Sequence, residues 1–424
     1  MGWAGYARGV KYAIIIPDGA GDLPLDELDG QTPLEAAETP NLDRLASIGR
    51  VGAVATTPAG FGAGSDVCSM SLLGYDPATY HTGRAPLEAA ALGLDPGERD
   101  WIFRVNLVHV SEDGRMVDHS GGAISDGEAR ELVGALTEHW RAHAGAASER
   151  MTLTPGVSYR NILVDAGGRD YQQLETTPPH EIPGEAWREH LPTGGAPGEL
   201  LRGLIESSAG VLASHPVNVA RAERGDRTAN LAWVWGQGTR PAMPSFESRF
   251  GVRGVMTTAV DLLAGISAYI GWDRLHVPGA TSYHDNDYAG QGRAAAEALD
   301  RYDLVCCHVE APDEAAHQGD WRTKVAAIEA IDREVVGPIV SRLTSFGDAE
   351  AGGEGWRVLV LPDHYTLVST KKHDATPVPF LMAGSWVRSV VQRPFSERGA
   401  GESDLFIEHG HELMEYFLRS GVRG

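Results

Sequence analysis

The chain has 424 residues, of which 42% are hydrophobic, and this is enough apolar surface to exclude a disordered protein. Its formal net charge of −22 argues against a nucleic-acid-binding protein, because no basic excess is available to neutralise phosphates. The three cysteines provide no disulfide framework, and no apolar stretch approaches the length of a membrane span. The first residues also lack the apolar core of a signal peptide. We therefore expect a cytoplasmic protein with neither nucleic-acid nor membrane partners.

Strands and helices alternate along most of the chain, although the middle is less regular. The predicted strands are Tyr12–Ile16, Val51–Ala55, Trp101–Val110, Val157–Val164, Ala229–Trp235, Arg274–Val277, Leu304–Val309, Trp356–Leu361 and Pro377–Met382. The predicted helices are Pro40–Ile48, Asp66–Leu73, Asp126–His143, Gly198–His215, Thr258–Ile270, Asp287–Arg301, Trp321–Thr344 and His409–Arg419. In the first of these helices, Thr39 is the expected N-cap.

This alternation predicts an α/β fold in which a mostly parallel sheet is flanked by helices on both faces. The length of the chain favours two domains. Because the regular alternation occupies both ends, we expect one discontinuous domain formed by residues 1–97 and 251–424. Residues 98–250 are richer in loose Pro/Gly connections and are expected to form an inserted second domain of α/β or α+β type.

Residues of the types that commonly bind metal ions follow three of the predicted strands. Asp18 follows the first strand, and Asp313 and His317 follow the strand at Leu304–Val309 with the i, i+4 spacing of one helix face. Asp363 and His364 follow Trp356–Leu361, and His373 comes ten residues after Asp363. Parallel sheets place their chemistry at the carboxyl ends of their strands. Three Asp and three His suit two divalent ions, with Mn²⁺ or Zn²⁺ favoured by the imidazoles and Mg²⁺ as an alternative. Each residue taken alone is equally compatible with a turn or a solvated helix face.

A nucleophile is predicted at Ser65, which follows a glycine-rich turn at the expected start of a helix. Free backbone N–H groups at a helix N-terminus would suit a phosphate group there. A hydroxyl beside a metal ion needs no histidine base, because coordination lowers its pKa. An ordinary serine N-cap is the competing interpretation.

Together these residues and their flanking motifs resemble the archaeal-type cofactor-independent (2,3-bisphosphoglycerate-independent) phosphoglycerate mutases of the alkaline phosphatase superfamily. The resemblance runs from Lys11 to about Met382. It is carried by the segments IIIPDG (14–19), TPLEAAETPNLDRLA (32–46), GSDVCSMSLLGYDP (64–77), TGRAPLEAAALG (82–93), WVWGQG (233–238), HVEAPDEAAHQGD (308–320) and LPDH (361–364).

The resemblance implies an alkaline-phosphatase-like metal domain with an inserted substrate or transferase domain. It also implies that Ser65 is the phosphoserine nucleophile in the interconversion of 3- and 2-phosphoglycerate, with no 2,3-bisphosphoglycerate as cofactor. In that family pattern, one metal would be held by Asp18, Ser65, Asp363 and His364. The other would be held by Asp313, His317 and His373. The partner is then a small phosphorylated metabolite, whereas no particular oligomeric state is predicted.

Basic residues are expected to bind the carboxylate and phosphate of such a substrate, because guanidinium forks match both groups. The candidates are Arg84, Arg160, Arg240, Lys324, Lys371 or Lys372, and, as a weaker one, His119. A surface-charge role competes with the binding role for each of them. Arg84 is the strongest candidate because it lies inside a motif of the family.

Several flanking residues depart from the family pattern while the proposed metal ligands do not. DEAAH stands where DEAGH is usual, and LPDHYTLVSTKKH replaces a segment of the form LPDHPTP…RTH. The segments PGVSYRNIL and TPPHEIPG resemble a bacterial branch for which homoserine phosphorylation has been proposed. The alternatives are therefore a related phosphotransferase (homoserine kinase-like, or a secondary-metabolism enzyme using a phosphonate or phosphoglycerate analogue), a metal-dependent phosphatase, and a catalytically silent binding protein.

Overall fold

The structure, a computed structural model, describes residues 9–421. These residues form two compact units. The terminal unit comprises the chain up to His81 and from Met243 onward, and the inserted unit comprises Thr82–Ala242. Among the described residues, no helix combines the length and the apolar character needed to cross a membrane.

The strands, in chain order, are β1 (Lys11–Pro17), β2 (Arg50–Val54), β3 (Trp101–Val110), β4 (Met116–Asp118), β5 (Met151–Pro155), β6 (Arg160–Asp165), β7 (Leu231–Thr239), β8 (Gly254–Thr257), β9 (Asp273–Arg274), β10 (Leu304–Val309), β11 (Trp356–Val360), β12 (Tyr365–Leu367), β13 (Lys372–Asp374), β14 (Val378–Gly384) and β15 (Phe406–Ile407).

The α-helices are α1 (Pro33–Ala36), α2 (Pro40–Ile48), α3 (Ser65–Leu72), α4 (Pro77–Tyr80), α5 (Arg84–Ala91), α6 (Asp126–Ala144), α7 (Gly195–Ala213), α8 (Pro216–Glu223), α9 (Phe246–Phe250), α10 (Asp261–Tyr269), α11 (Tyr288–Ala298), α12 (Ala311–Gln318), α13 (Trp321–Ile331), α14 (Gly337–Thr344), α15 (Glu397–Gly401) and α16 (Leu413–Arg419). The predicted helix Trp321–Thr344 is thus α13 and α14 joined by a π-helical segment, Asp332–Val336.

The terminal unit is built on a sheet with the strand order β15-β2-β14-β11-β1-β10-β8-β9. Strand β14 runs antiparallel to both of its neighbours, and the other pairs are parallel. The prediction of a mostly parallel sheet flanked by helices is therefore confirmed. The antiparallel direction of β14 follows from the connection that precedes it. A parallel return from β11 would need a long crossover, usually a helix, whereas the chain instead folds into the β12–β13 hairpin.

The central strands of this sheet are buried on both faces, as expected for a parallel sheet. Every residue of β10 is buried, and Ile14, Ile15 and Ile16 of β1 have no exposed surface. Helices α2, α11, α13 and α14 contribute to the core on one face. Because β11, β1, β10 and β8 are adjacent and parallel, the residues that follow them meet at one edge of the sheet.

The inserted unit has a fully antiparallel sheet in the order β4-β3-β6-β5, with β7 also paired to β3. Helices α6 and α7 contribute to its core, so the unit is of α+β type. It begins at 82 and ends at 242, whereas the sequence predicted 98 and 250. The difference at the first boundary arises because Ala85 and Ala89 of α5 pack against Ile102 and Ile162 of the antiparallel sheet.

Candidate metal centre

The first group of predicted ligands converges at the carboxyl ends of β1 and β11. Asp18, Asp363 and His364 are buried, and their ligand atoms lie within 4.8 Å of one another. The His364 Nε2 atom lies 3.5 Å from Asp18 Oδ1 and 3.5 Å from Asp363 Oδ2. Ser65, the first residue of α3, places its Oγ atom 3.2 Å from the same Nε2 atom. The structure thus brings together all four residues predicted for one ion.

Asp363 is held in place by several donors. Its Oδ1 atom accepts from the backbone N–H groups of Gly19 (3.3 Å) and His364 (3.0 Å), and its Oδ2 atom accepts from the Ser69 hydroxyl (3.4 Å). By contrast, Asp18 Oδ1 is buried and accepts no hydrogen bond from residues 9–421. A buried carboxylate oxygen without a donor is costly, and a cation would satisfy it.

The second predicted group, Asp313, His317 and His373, also comes together. Asp313 and His317 lie one turn apart on α12, and Asp313 Oδ2 is 3.1 Å from His317 Nε2. His373, on β13, places its Nε2 atom 3.4 Å from Asp313 Oδ1 and 2.9 Å from His317 Nε2. The His373 ring also stacks on His364 at 4.0 Å between centroids, so the two groups are contiguous.

The orientation of the two imidazoles fits a metal ion. His317 Nδ1 lies 3.0 Å from the carbonyl oxygen of Lys371, and His373 Nδ1 lies 3.0 Å from that of Ala63. Because a carbonyl only accepts, each Nδ1 carries a proton. Each Nε2 atom faces Asp313, donating to its carboxylate when the ring is protonated and offering a lone pair to a cation when the ring is neutral. Backbone acceptors of this kind commonly fix metal-binding histidines. Two lone pairs facing each other repel unless a cation or a proton lies between them.

The electrostatics of the site are those of a concentrated, buried negative charge. Burial, followed by the carboxylates of Asp363 and Asp313, raises the pKa of Asp18 well above its usual range. Burial also pushes the pKa of Asp313 upward, but hydrogen bonds from His317 and His373 outweigh it and bring that pKa below the usual range. The hydrogen bond to Asp313 raises the pKa of His317 to about 9. Burial lowers the pKa of His364, which favours its neutral, ligand-competent form.

Two further residues at this edge, the buried His308 and the partly buried Glu310, were not among the predicted ligands. His308, on β10, places Nε2 2.7 Å from Asp18 Oδ2, and Glu310 follows the same strand with Oε2 3.6 Å from that Nε2 atom. Together with Asp18 they form a further group whose ligand atoms lie within 4.8 Å of one another. The signal in the sequence was a histidine inside an otherwise apolar strand.

Three of the four basic candidates in the inserted unit, Arg84, Arg160 and His119, fall into one group. Burial lowers the pKa of Arg104, and the attraction of Glu88 partly opposes this effect. The positive charges of Arg84 and Arg160, which lie nearby, lower the same pKa further. Arg160 Nε is buried without a hydrogen-bond partner in the described chain. The centroid of the His119 ring lies 5.8 Å from that of the Tyr159 ring and 6.0 Å from that of the His180 ring. The sequence did not single out Arg104 or His180, because Arg104 lies within a strand that reads as core and His180 in an irregular loop.

Other basic candidates are placed differently. Arg240 pairs with Asp95 and donates to the carbonyl oxygen of Pro96 at 3.3 Å. Lys371 is exposed and contributes its carbonyl oxygen to His317, and Lys372 is an exposed residue of β13.

Lys324 requires a correction, because the structure contradicts its prediction as a substrate-binding residue. Its side chain has no exposed surface, and its Nζ donates to Asp22 Oδ2 (2.8 Å) and to the carbonyl oxygens of Gly21 (3.1 Å) and Thr366 (2.7 Å). All three ammonium protons are therefore engaged inside the protein, and Lys324 has a structural role.

Relatives of known family match this chain over nearly its whole length. A model of the 2,3-bisphosphoglycerate-independent phosphoglycerate mutase family matches residues 46–218. A 2,3-bisphosphoglycerate-independent phosphoglycerate mutase of Methanothermobacter thermautotrophicus is 44% identical over 98% of each chain. The chain belongs to this mutase family. A probable member from Geobacter sulfurreducens is 41% identical over 96% of this chain and 100% of its own.

Two solved structures have the same fold as this chain. The PH0037 protein from Pyrococcus horikoshii has a TM-score of 0.79 at 29% identity, covering 98% of this chain and 99% of its own. The cofactor-independent phosphoglycerate mutase from Thermoplasma acidophilum has a TM-score of 0.65 at 26% identity, covering 96% and 98%. The family resemblance predicted from the motifs is therefore confirmed.

Proposed function

We propose that this protein interconverts 3-phosphoglycerate and 2-phosphoglycerate by metal-dependent phosphoryl transfer through a phosphoserine at Ser65. The observation that carries the proposal is the position of Ser65 Oγ, 3.2 Å from His364 Nε2 and at the edge of the Asp18, Asp363 and His364 group. A hydroxyl at the start of a helix and beside a cluster of metal ligands is suited to phosphoryl transfer. The names of the relatives with 44% identity point to the same reaction.

The residues present fit two divalent cations. Asp18, Ser65, Asp363 and His364 would hold one, and Asp313, His317 and His373 would hold the other. Bound divalent ions would neutralise the phosphoryl oxygens and lower the pKa of the Ser65 hydroxyl. We favour Mn²⁺ over Mg²⁺ because half of the non-serine ligands are imidazoles, and Zn²⁺ is the other ion this donor set would accept.

The reaction then follows from the position of Ser65. Its Oγ atom forms a bond to phosphorus as the bond from phosphorus to the substrate's 3-oxygen breaks, and that oxygen takes the proton that Ser65 loses. In the second half, the 2-hydroxyl of the same glycerate attacks phosphorus, and Ser65 regains a proton. The free N–H groups at the start of α3 face the phosphoryl oxygens during both transfers. Water must be kept from the phosphoserine, because its hydrolysis would make the enzyme a phosphatase.

For the inserted unit, we propose that the cationic group Arg84, Arg104 and Arg160 binds the carboxylate of the glycerate, with His119 beside it. Guanidinium groups match a carboxylate through paired hydrogen bonds. The buried Nε of Arg160, which has no partner within the described chain, is the donor best placed to gain such a bond.

An assay of 3- to 2-phosphoglycerate conversion by the Mn²⁺-loaded protein tests the proposal. We expect conversion by the wild type and a loss of at least about a thousandfold in Ser65→Ala, because the nucleophile is gone. Ser71→Ala is the matched control, since Ser71 lies on the same helix and its buried hydroxyl has no hydrogen-bond partner among the described residues. Full activity of Ser65→Ala would remove Ser65 from the mechanism. Release of inorganic phosphate without 2-phosphoglycerate would contradict mutase activity.

A further inference from the structure

The Thr366 side chain lies between the two groups of predicted ligands and is a member of neither. Its Oγ1 atom donates a hydrogen bond to Oδ1 of Asp313 (2.5 Å), which belongs to one group. The same oxygen lies 3.2 Å from Nδ1 of His364, which belongs to the other group. Thr366 has no exposed surface, so bulk water cannot replace either contact. A single hydroxyl therefore contacts both halves of the candidate centre.

The backbone of Thr366 is anchored on three sides. Its N–H group donates to the carbonyl oxygen of Gly21 (3.2 Å), and its carbonyl oxygen accepts from Lys324 Nζ (2.7 Å). In the β12–β13 hairpin, Thr366 is paired directly with His373, a third residue of the candidate centre. The position of the hydroxyl is therefore set by the sheet and by buried neighbours.

The residue that follows Asp18 leaves room for this hydroxyl. Gly19 has a φ of +59°, and a Cβ atom there would lie 2.5 Å from Thr366 Oγ1 and 2.6 Å from Asp313 Oδ1. Both distances are shorter than van der Waals contact, and this φ already favours glycine. The hydrogen bond between Thr366 and Asp313 thus requires a residue without a side chain at position 19.

The direction of the two hydrogen bonds follows from the single proton of the hydroxyl. Because Thr366 Oγ1 gives that proton to the Asp313 carboxylate, the oxygen must accept from His364. His364 therefore carries a proton on Nδ1, and its Nε2 atom faces Asp18 and Asp363, each at 3.5 Å. In the neutral ring, this Nε2 atom offers its lone pair to a cation. The His364 ring also forms a hydrogen bond with the backbone of Tyr365.

We propose that Thr366 is a positioning residue that serves both ion sites, because it orients the Asp313 carboxylate and fixes the His364 proton on Nδ1. This role rests on the two-cation centre of the proposed function. Removing a hydrogen bond that orients a metal ligand typically weakens metal binding about 10- to 100-fold. Since one hydroxyl contacts a ligand of each site, its loss should weaken the binding of both ions.

The test is calorimetric titration of the metal-free protein with Mn²⁺. The wild type should bind two ions, and Thr366→Val, which replaces the hydroxyl with a methyl group of similar size, should bind both about 10- to 100-fold more weakly. Thr366→Ser keeps the hydroxyl and should retain the wild-type affinities. Thr344→Val is the matched control, because Thr344 is exposed on α14 and its hydroxyl donates to the carbonyl oxygen of Ser341 (3.0 Å).

Each ion can be measured alone in a variant that lacks a ligand of the other site. Asp313→Asn keeps Asp18, Asp363 and His364, and adding Thr366→Val to it should weaken the remaining ion through His364. Asp363→Asn keeps the other group, and adding Thr366→Val to it should weaken the remaining ion through Asp313. Weakening in only one of these two backgrounds would overturn the role at both sites.

The wild-type titration separates this role from the proposed function. If the wild type bound no Mn²⁺, the two-cation centre and the role of Thr366 would both be overturned. Two bound ions with unchanged affinities in Thr366→Val would overturn the role of Thr366 alone.

A second measurement covers the case in which Thr366→Val fails to fold. Nitrogen NMR of the metal-free wild type with labelled histidine reports which ring nitrogen carries the proton, and His364→Gln assigns the signal. His364 should be protonated on Nδ1. A neutral His364 ring with its proton on Nε2 would overturn the proposal.

Discussion

At the scale of single residues, buried charge explains why Lys324 is a structural residue. Its ammonium group lies between Asp22 and the carbonyl oxygens of Gly21 and Thr366, with no exposed surface on either charged partner. The pKa of Lys324 is lowered by burial, which is only partly offset by Asp22. Removing one partner of such a pair leaves the other charge buried and unpaired.

Lys324→Met should therefore lower the free energy of unfolding by about 3–5 kcal/mol. Lys372→Met is the control, because Lys372 is exposed and should change stability by less than about 0.5 kcal/mol. Urea unfolding followed by circular dichroism measures both. A wild-type unfolding midpoint in Lys324→Met, together with a raised KM for substrate, would restore the substrate-binding role that the structure contradicts.

A neighbouring carboxyl, Glu397, predicts a pH dependence. It accepts hydrogen bonds from the Asp22 backbone N–H (3.0 Å) and the Thr32 hydroxyl (2.6 Å), and burial raises its pKa from 4.5 to about 7. Because the folded state holds this proton more tightly than the unfolded state, the carboxyl stabilises the fold at low pH. That stabilisation is lost as the pH rises from about 4.5 through 7.

Glu397→Gln removes this titration, so the wild type should lose about 3 kcal/mol of stability relative to the variant between pH 4.5 and pH 7.5. Urea unfolding of both proteins at several pH values measures the difference. Glu402→Gln, which alters an exposed carboxylate five residues later, should follow the wild type. Parallel stability curves for the wild type and Glu397→Gln would contradict a raised pKa at Glu397.

At the scale of elements, the start of α2 shows what the sequence could and could not predict. Thr39 occupies the N-cap position as predicted, yet its side chain makes no capping hydrogen bond to the described part of the chain. Asp332, from the π-helical segment, caps the helix instead: it accepts from the backbone N–H groups of Leu42 (2.8 Å) and Asn41 (3.1 Å). The two donors lie 290 and 291 residues from the acceptor in the sequence, so no local pattern could reveal this contact.

Asp332→Ala should lower the free energy of unfolding by about 1–3 kcal/mol, because buried N–H groups at the start of α2 lose their acceptor. Thr39→Ala should change it by less than about 0.5 kcal/mol, since no capping bond is lost. Thermal and urea unfolding of the two variants compare them directly. A larger loss in Thr39→Ala than in Asp332→Ala would reverse the assignment of the cap.

At the scale of the whole molecule, the strands and their mostly parallel pairing could be anticipated better than the reversal of one strand and the boundaries of the units. Apolar runs such as Leu304–Val309 and the alternation with helices identified a mostly parallel sheet, and the residues after β1, β10 and β11 pointed to one edge. The reversal of β14 depends on the β12–β13 hairpin, whose short strands carry little periodic signal. The early start of the inserted unit depends on tertiary packing of α5.

The candidate site was predictable to the extent that its residues follow strands in the sequence. Asp18, Asp313 and Asp363 each come directly after a buried strand or soon after it, and their grouping follows from the parallel register. His308 and Glu310 were missed because a histidine inside a buried strand reads as core. Burial of Lys324 was missed because only the tertiary structure shows that its ammonium group is enclosed.

The central claim is that Ser65 carries the phosphoryl group between the two positions of the glycerate. Its most direct test is to mix the Mn²⁺-loaded protein with 3-phosphoglycerate, quench with acid and locate phosphate by peptide mass spectrometry. We expect one added phosphoryl group at Ser65, and none in Ser65→Ala. A phosphoryl group on another residue, or an unmodified Ser65 peptide during active turnover, would contradict the claim.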